Sequence, residues 1–150
     1  MLWRILRKPR RTAYLIHKET ARALITARVA YFAATYHFAL KRIAIRDTKR
    51  SWGSCSALGN LNFSYKLLFL PPCLRDYVVI HELCHLRHLH HKASFWEEVA
   101  AVMPDAKERA GTLRRMERSV GTSLKALAKV VAQHDASPCP YCSHDAHTTD

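Results

Sequence analysis

Two histidines four residues apart, within His81-Glu82-Leu83-Cys84-His85, constrain this 150-residue chain more than any other feature. On a helix they project from successive turns of one face and can grip a single metal ion, while Glu82, about 100° around the axis, reaches a metal-bound water instead of the metal. The pattern therefore separates two ligands from one catalyst. Zinc held by protein side chains with one position open lowers the pKa of its water to ~7, so a hydroxide-like nucleophile exists at neutral pH. The chemistry this implies is metal-assisted hydrolysis.

The surroundings favour a half-buried helix over a solvated one. Leu70-Pro71-Pro72 closes a preceding strand and opens a helix, Leu74, Val78 and Leu83 give that helix an apolar side, and Tyr77-Val78-Val79-Ile80 runs straight into His81. Ionisable residues in such a setting need a partner or a ligand.

A third ligand must come from elsewhere, and His88, His90 and His91 follow closely. On an unbroken helix His88 shares the face of His81 but lies about 10 Å along the axis, too far for metal bonds of ~2 Å. His91 can return to the metal only if the helix ends first and the chain bends back. The intervening Leu86-Arg87-His88-Leu89-His90 offers no Gly or Pro to break it, and His90 is the second candidate.

Beyond the zinc motif, Arg50-Ser51-Trp52-Gly53-Ser54-Cys55, Gly59-Asn60-Leu61-Asn62-Phe63, Leu70-Pro71, Asp76 to His85, and His91 with Phe95-Trp96 and Pro104 together resemble the YgjP-type metallopeptidase family, and more distantly the SprT-type proteases that degrade proteins crosslinked to DNA. The resemblance implies a zincin-like zinc peptidase. It implies that the third zinc histidine is His91, set in His90-His91-Lys92 where the family pattern has Asn-His-Ser. His81, His85 and His91 would then hold Zn2+ while Glu82 takes a proton from the water and passes it to the leaving amine. A nucleotide phosphohydrolase activity has also been attributed to members of this family, which keeps nucleoside triphosphates as alternative substrates.

Composition fits one compact cytoplasmic enzyme. A 49% hydrophobic content supports a real core in a single domain. The longest apolar candidate for a membrane span, around Ala23 to Leu40, is interrupted by Arg28 and His37, so membrane insertion is not expected. The basic start Met1-Leu2-Trp3-Arg4-Ile5-Leu6-Arg7-Lys8 lacks the apolar core and cleavage site of a secretory signal, although an Arg-rich, acid-poor start also suits an organellar transit peptide. Five cysteines, an odd number, argue against a disulfide framework, and Cys55, Cys73 and Cys84 read as small buried hydrophobes.

The net charge of +12 is concentrated in the first third: residues 1–50 carry 13 Lys and Arg against Glu19 and Asp47, whereas residues 51–150 carry 11 against 10 acids. Such a face attracts nucleic acid or nucleotides by long-range electrostatics, or is simply solvated. A third reading of the chain is accordingly a non-catalytic nucleic-acid-binding zinc module.

The elements read as an α+β fold with a small antiparallel sheet packed beside the zinc helix. Residues 1–11 form a basic arm, and residues 12–134 form the catalytic domain. Thr12 to Phe38 is one long helix with Leu15, Ala23, Ala27, Ala30, Ala34 and Phe38 at helical spacing, and Tyr31, Phe32 and Tyr36 also read as core. Lys41 to Arg46 is a strand; Ser51 to Ala57 and Asn60 to Leu70 form a hairpin turned at Leu58-Gly59. After the zinc helix come a helix over Ser94 to Val102 and a helical stretch from Asp105 to Gln133 broken near Gly121. Asn60, Asn62 and Tyr65 are cleft candidates, Tyr65, Tyr77, Arg50 and Arg75 are candidate oxyanion donors, and Phe95 with Trp96 reads as a wedge. Residues 135–150 form a flexible tail in which Cys139, Cys142, His144 and His147 have donor types for a second metal but unfavourable spacing.

Overall fold

The computed structural model of the chain describes residues 9–120 and 123–136. Residues 1–8 of the expected basic arm, the expected break at Gly121 and the tail from residue 137, with its Cys and His residues, lie outside the described residues. The element order is α1 (Pro9–Tyr36), β1 (Arg42–Arg46), β2 (Gly53–Cys55), β3 (Asn60–Ser64), a 3-10 segment (Tyr65–Phe69), α2 (Pro72–Cys84), α3 (Ala93–Val102), α4 (Ala106–Val120) and α5 (Leu124–Ala136). This is an α+β fold in which a three-stranded sheet packs beside the helix carrying His81 and His85.

Helix α1 buries a different stripe from the one its alanines suggest. Ala21, Ile25, Val29 and Phe32 face inward, whereas Ala23, Ala27, Ala30 and Ala34 are exposed, as are Leu15 and Tyr31. Both stripes have helical period, and the one with branched and aromatic side chains wins because it removes more apolar area from water. The helix stops at Tyr36 because His37 adopts a left-handed φ of 59°, and Phe38 N–H bonds back to the Ala33 carbonyl at 3.0 Å. Arg28 of α1 grips Asp76 of α2 through two bonds of 2.8 and 2.7 Å, so at least one charge of the basic half is engaged in holding the fold together.

The sheet has the order β1-β3-β2 and is mixed. The β2–β3 hairpin is antiparallel as expected, pairing Gly53 with Phe63 and Cys55 with Leu61 around a turn in which Gly59 takes a φ of 83°. Strand β1 instead runs parallel to β3, with Ile43 opposite Leu61 and Ile45 opposite Phe63. Parallel neighbours need a long connection, and the segment between Arg46 and Asn60 supplies it by crossing the end of β3 and returning as β2.

The expected strand over Asn60 to Leu70 ends at Ser64. The Ser64 hydroxyl accepts the Lys66 N–H at 3.3 Å and turns the chain into the 3-10 segment, while the Arg75 guanidinium donates to the Leu67, Leu68 and Leu70 carbonyls at 3.0–3.2 Å. An unbroken apolar run cannot distinguish these two outcomes by periodicity. Leu67 and Leu70 then enter the core with Leu61, Phe63, Val79, Ile80 and Leu83, so α2 lies with one side in the core and the other toward the site.

Candidate metal centre

Helix α2 opens on Pro71 and Pro72, is buried along Leu74, Val78 and Leu83, and ends at Cys84 with His85 as its cap. Beyond it the chain tightens, Leu86 N–H bonding Leu83 O and Arg87 N–H bonding Cys84 O. The bend that the sequence lacks a glycine for is held from outside the helix. The Arg87 guanidinium donates to the carbonyls of Tyr36 at 2.9 Å and His37 at 3.1 Å, at the C-terminal end of α1, and also pairs with Glu98 of α3. His88 pairs with the same Glu98 at 2.8 Å, which turns its ring to α3.

This bend brings His91 back to His81 and His85. Their Nε2 atoms lie 3.2 Å (His81 to His85), 3.1 Å (His85 to His91) and 3.3 Å (His81 to His91) apart. Three imidazole ligands on a tetrahedral zinc with bonds of ~2.0–2.1 Å would have nitrogens separated by about 3.3–3.4 Å, so the triangle fits such an ion. Among the described residues, this trio forms a group that could hold a metal.

The tautomer agrees with that fit. His85 Nδ1 lies 2.8 Å from the His88 carbonyl oxygen, which can only accept; the proton is therefore on Nδ1 and the Nε2 lone pair points into the triangle. On the far side His81 Nδ1 approaches the Tyr77 hydroxyl at 3.4 Å. Burial, with the neighbouring His85 and His91, pushes His81 down to about 4, and burial also lowers His85, so both are neutral near pH 7. Phe95, fully buried, floors the cluster: it stacks on His85 with ring centres 4.4 Å apart and meets His81 and His91 edge-on at 5.0 Å.

Glu82 stands on the flank of this triangle. Its side chain is only 6% exposed, and burial pushes its carboxyl up to about 7. Strand β2 closes over it, since Gly53 leaves no room for a Cβ beside the carboxyl. His81 and Glu82 open into a cleft of about 210 Å³ walled by Trp52, Tyr77, Arg114 and Glu117. The Trp52 indole N–H donates to Glu117, fixing β2 to α4.

Several expected residues fall elsewhere. Tyr65 is fully buried against Tyr14, Arg75 is occupied by backbone carbonyls, and Arg50 is exposed; of the four candidate oxyanion donors, Tyr77 alone lines the cleft. Asn62 bonds Ser54 and Arg46, and Asn60 bonds Ser56 at the hairpin turn. Phe95 is the wedge expected of it, but Trp96 is 37% exposed. Arg114 and Glu117 carry no sequence signal pointing to the site, whereas Trp52-Gly53 lies inside a quoted motif.

A helix-borne pair of histidines, a third histidine returned by a turn and a buried glutamate on their flank define a metal-dependent hydrolase type of site. The chain belongs to the YgjP-like metallopeptidase domain family, which matches residues 6–116. It is also similar in structure to the metallopeptidase zymogen of Pyrococcus abyssi abylysin, with 28% identity and a TM-score of 0.54 over 63% of this chain and 94% of that one. No curated protein matches the chain. Among the described residues no helix is long and apolar enough to cross a membrane.

Proposed function

We propose that the chain is a zinc-dependent metallopeptidase in which His81, His85 and His91 hold the metal and Glu82 is the general base. The observation that carries this reading is the near-equilateral Nε2 triangle with a buried carboxyl on its flank. Held by these three histidines, zinc would supply the Lewis acidity that makes a water acidic and a scissile carbonyl electrophilic. Glu82 takes the water's proton on its carboxylate and delivers it to the leaving amine, a role suited to a carboxyl whose burial has moved it toward neutral pH. Tyr77 and the His88 carbonyl orient His81 and His85 through their Nδ1 atoms. Edge strand β2, beside Glu82, is positioned to pair with an extended peptide.

Neither the nucleotide-hydrolase reading nor the nucleic-acid-module reading gains support from the family match. The deciding experiment offers the zinc-loaded protein an unfolded protein and, separately, nucleoside triphosphates. Cleavage of the protein substrate is the expected outcome; phosphate release without peptide cleavage would replace the peptidase with the nucleotide hydrolase.

A further inference from the structure

A second cavity adjoins the metal centre. Between α3 and α4 runs a groove of about 440 Å³, lined by Val99, Ala106 and Ala110 at its base, by Trp96 along one wall, and by the cations Lys107 and Arg114. It shares Ala110 and Arg114 with the Glu82 cleft. Trp96 links it to the metal ligands, with ring centres 5.9 Å from His81 and 6.0 Å from His91. A chain bound across His81 and Glu82 would therefore pass the mouth of this groove.

The α4 sequence explains the groove. Lys107, Ala110 and Arg114 recur at intervals of three and four and so share one helix face, with a small residue between two long basic ones. Arg114 is exposed and forms no salt bridge with any described residue. Glu117, which lines the same cleft, accepts the Trp52 indole N–H. An apolar hollow of this size beside a guanidinium that no described residue pairs complements a large apolar side chain next to a carboxylate.

We propose that the α3–α4 groove is a substrate subsite that takes a leucine- or phenylalanine-sized side chain of the bound peptide while Arg114 binds an adjacent carboxylate. The assignment rests on the peptidase reading above. The carboxylate has two sources, the C-terminus of a peptide or an acidic side chain in a longer one, and both present the same chemistry to Arg114.

The test uses full-length, metal-free protein, so that zinc cannot serve as the carboxylate acceptor. N-acetylphenylalanine, its amide, and acetylated Phe-Asp and Phe-Asn dipeptide amides are titrated against wild type, Arg114→Glu and Ala100→Trp by NMR. Ala100 lines the groove from its exposed side, so both substitutions spare the core, and a thermal melt checks folding. At least one acid should bind wild type roughly 3–10-fold more tightly than its neutral counterpart, a difference of the size expected for one charge-assisted contact at a partly exposed site. Which acid is preferred identifies the source. The preference should vanish in Arg114→Glu, and all ligands should weaken in Ala100→Trp. Equal binding of acid and amide to wild type, or binding unchanged in Ala100→Trp, overturns the proposal.

Cleavage-site mapping on an unfolded protein separates the two levels of inference. If zinc-loaded wild type, Arg114→Glu and Ala100→Trp cut the same bonds at the same rates, the subsite is wrong and the peptidase stands. If nothing is cut while ligand binding still depends on Arg114, the peptidase reading fails and the groove's role as a peptidase subsite fails with it, leaving a pocket that binds an apolar group beside a carboxylate.

Discussion

Gly53 and Glu82 touch across the β2–α2 interface so closely that a Cβ on residue 53 would lie 2.7 Å from Cγ of Glu82 and 3.1 Å from its Oε1. The strand backbone thus sets where the carboxyl sits. Gly53→Ala should keep metal content near wild type but displace the carboxyl, lowering kcat roughly tenfold to a hundredfold, the scale of a misplacement near 1 Å. Steady-state kinetics alongside metal analysis checks this. An alanine variant with wild-type kcat would show that the contact does not position the base.

The ligand set makes a sharper demand on metal stoichiometry. His81→Ala, His85→Ala and His91→Ala should each lose the metal in elemental analysis of the purified protein. His88→Ala should retain it, because the His88 ring faces Glu98 and only its backbone carbonyl holds His85. Metal loss in the His88 variant with normal content in His91→Ala would show that the third ligand is misassigned.

Arg87 should matter to the metal without touching it. It joins the turn after α2 to the carbonyls of Tyr36 and His37 and to Glu98. Arg87→Ala should release the turn that returns His91 and weaken metal affinity by roughly 10–100-fold, the usual penalty for losing an outer-sphere support. A competition titration with a chromophoric chelator measures it. Arg87→Lys should recover little, since one ammonium cannot span three acceptors.

The pH dependence of the metal-free protein follows from two opposed groups. His81 falls from its ordinary 6.5 to about 4, so its contribution to stability is complete above pH 6.5 and is lost as pH drops through about 4. Glu82 rises from 4.5 to about 7, so its contribution is complete below pH 4.5 and is lost as pH climbs through about 7. Between these limits the two slopes oppose each other. Glu82→Gln removes the falling one, so urea denaturation of that variant should show stability rising with pH from 4.5 to 6.5 more steeply than in wild type. Parallel profiles would show that Glu82 is not held protonated by burial.

How much was legible in the sequence depended on how local each cause was. The His81–His85 pairing is a property of one helix and could be read from spacing alone. The return of His91 could not, because the bend is held by Arg87 reaching carbonyls 51 and 50 residues away, and only the family resemblance singled it out. Tyr65 enters the core instead of the cleft for a similar reason: the run from Asn60 to Leu70 has the pattern of one strand, and the Ser64 hydroxyl and Arg75 guanidinium divert it. In helix α1 and just beyond it the aromatic part of the pattern is legible, Phe32 and Phe38 being buried with Tyr36 packed against the core, whereas the alanine stripe faces solvent, since alanines and larger residues both recur with helical period. Arg114 and Glu117 come to the cleft only through the packing of α4 on α2, which no local pattern announces.

The most direct test of the central claim is the activity of zinc-loaded Glu82→Gln on an unfolded protein that the wild type cleaves. The variant should bind one zinc per chain and melt as wild type does in its metal-loaded form, yet hydrolyse peptide bonds ~10²–10⁴-fold more slowly, the range for losing a general base. Wild-type turnover in a variant with full zinc content would contradict the assignment of Glu82 and, with it, the mechanism.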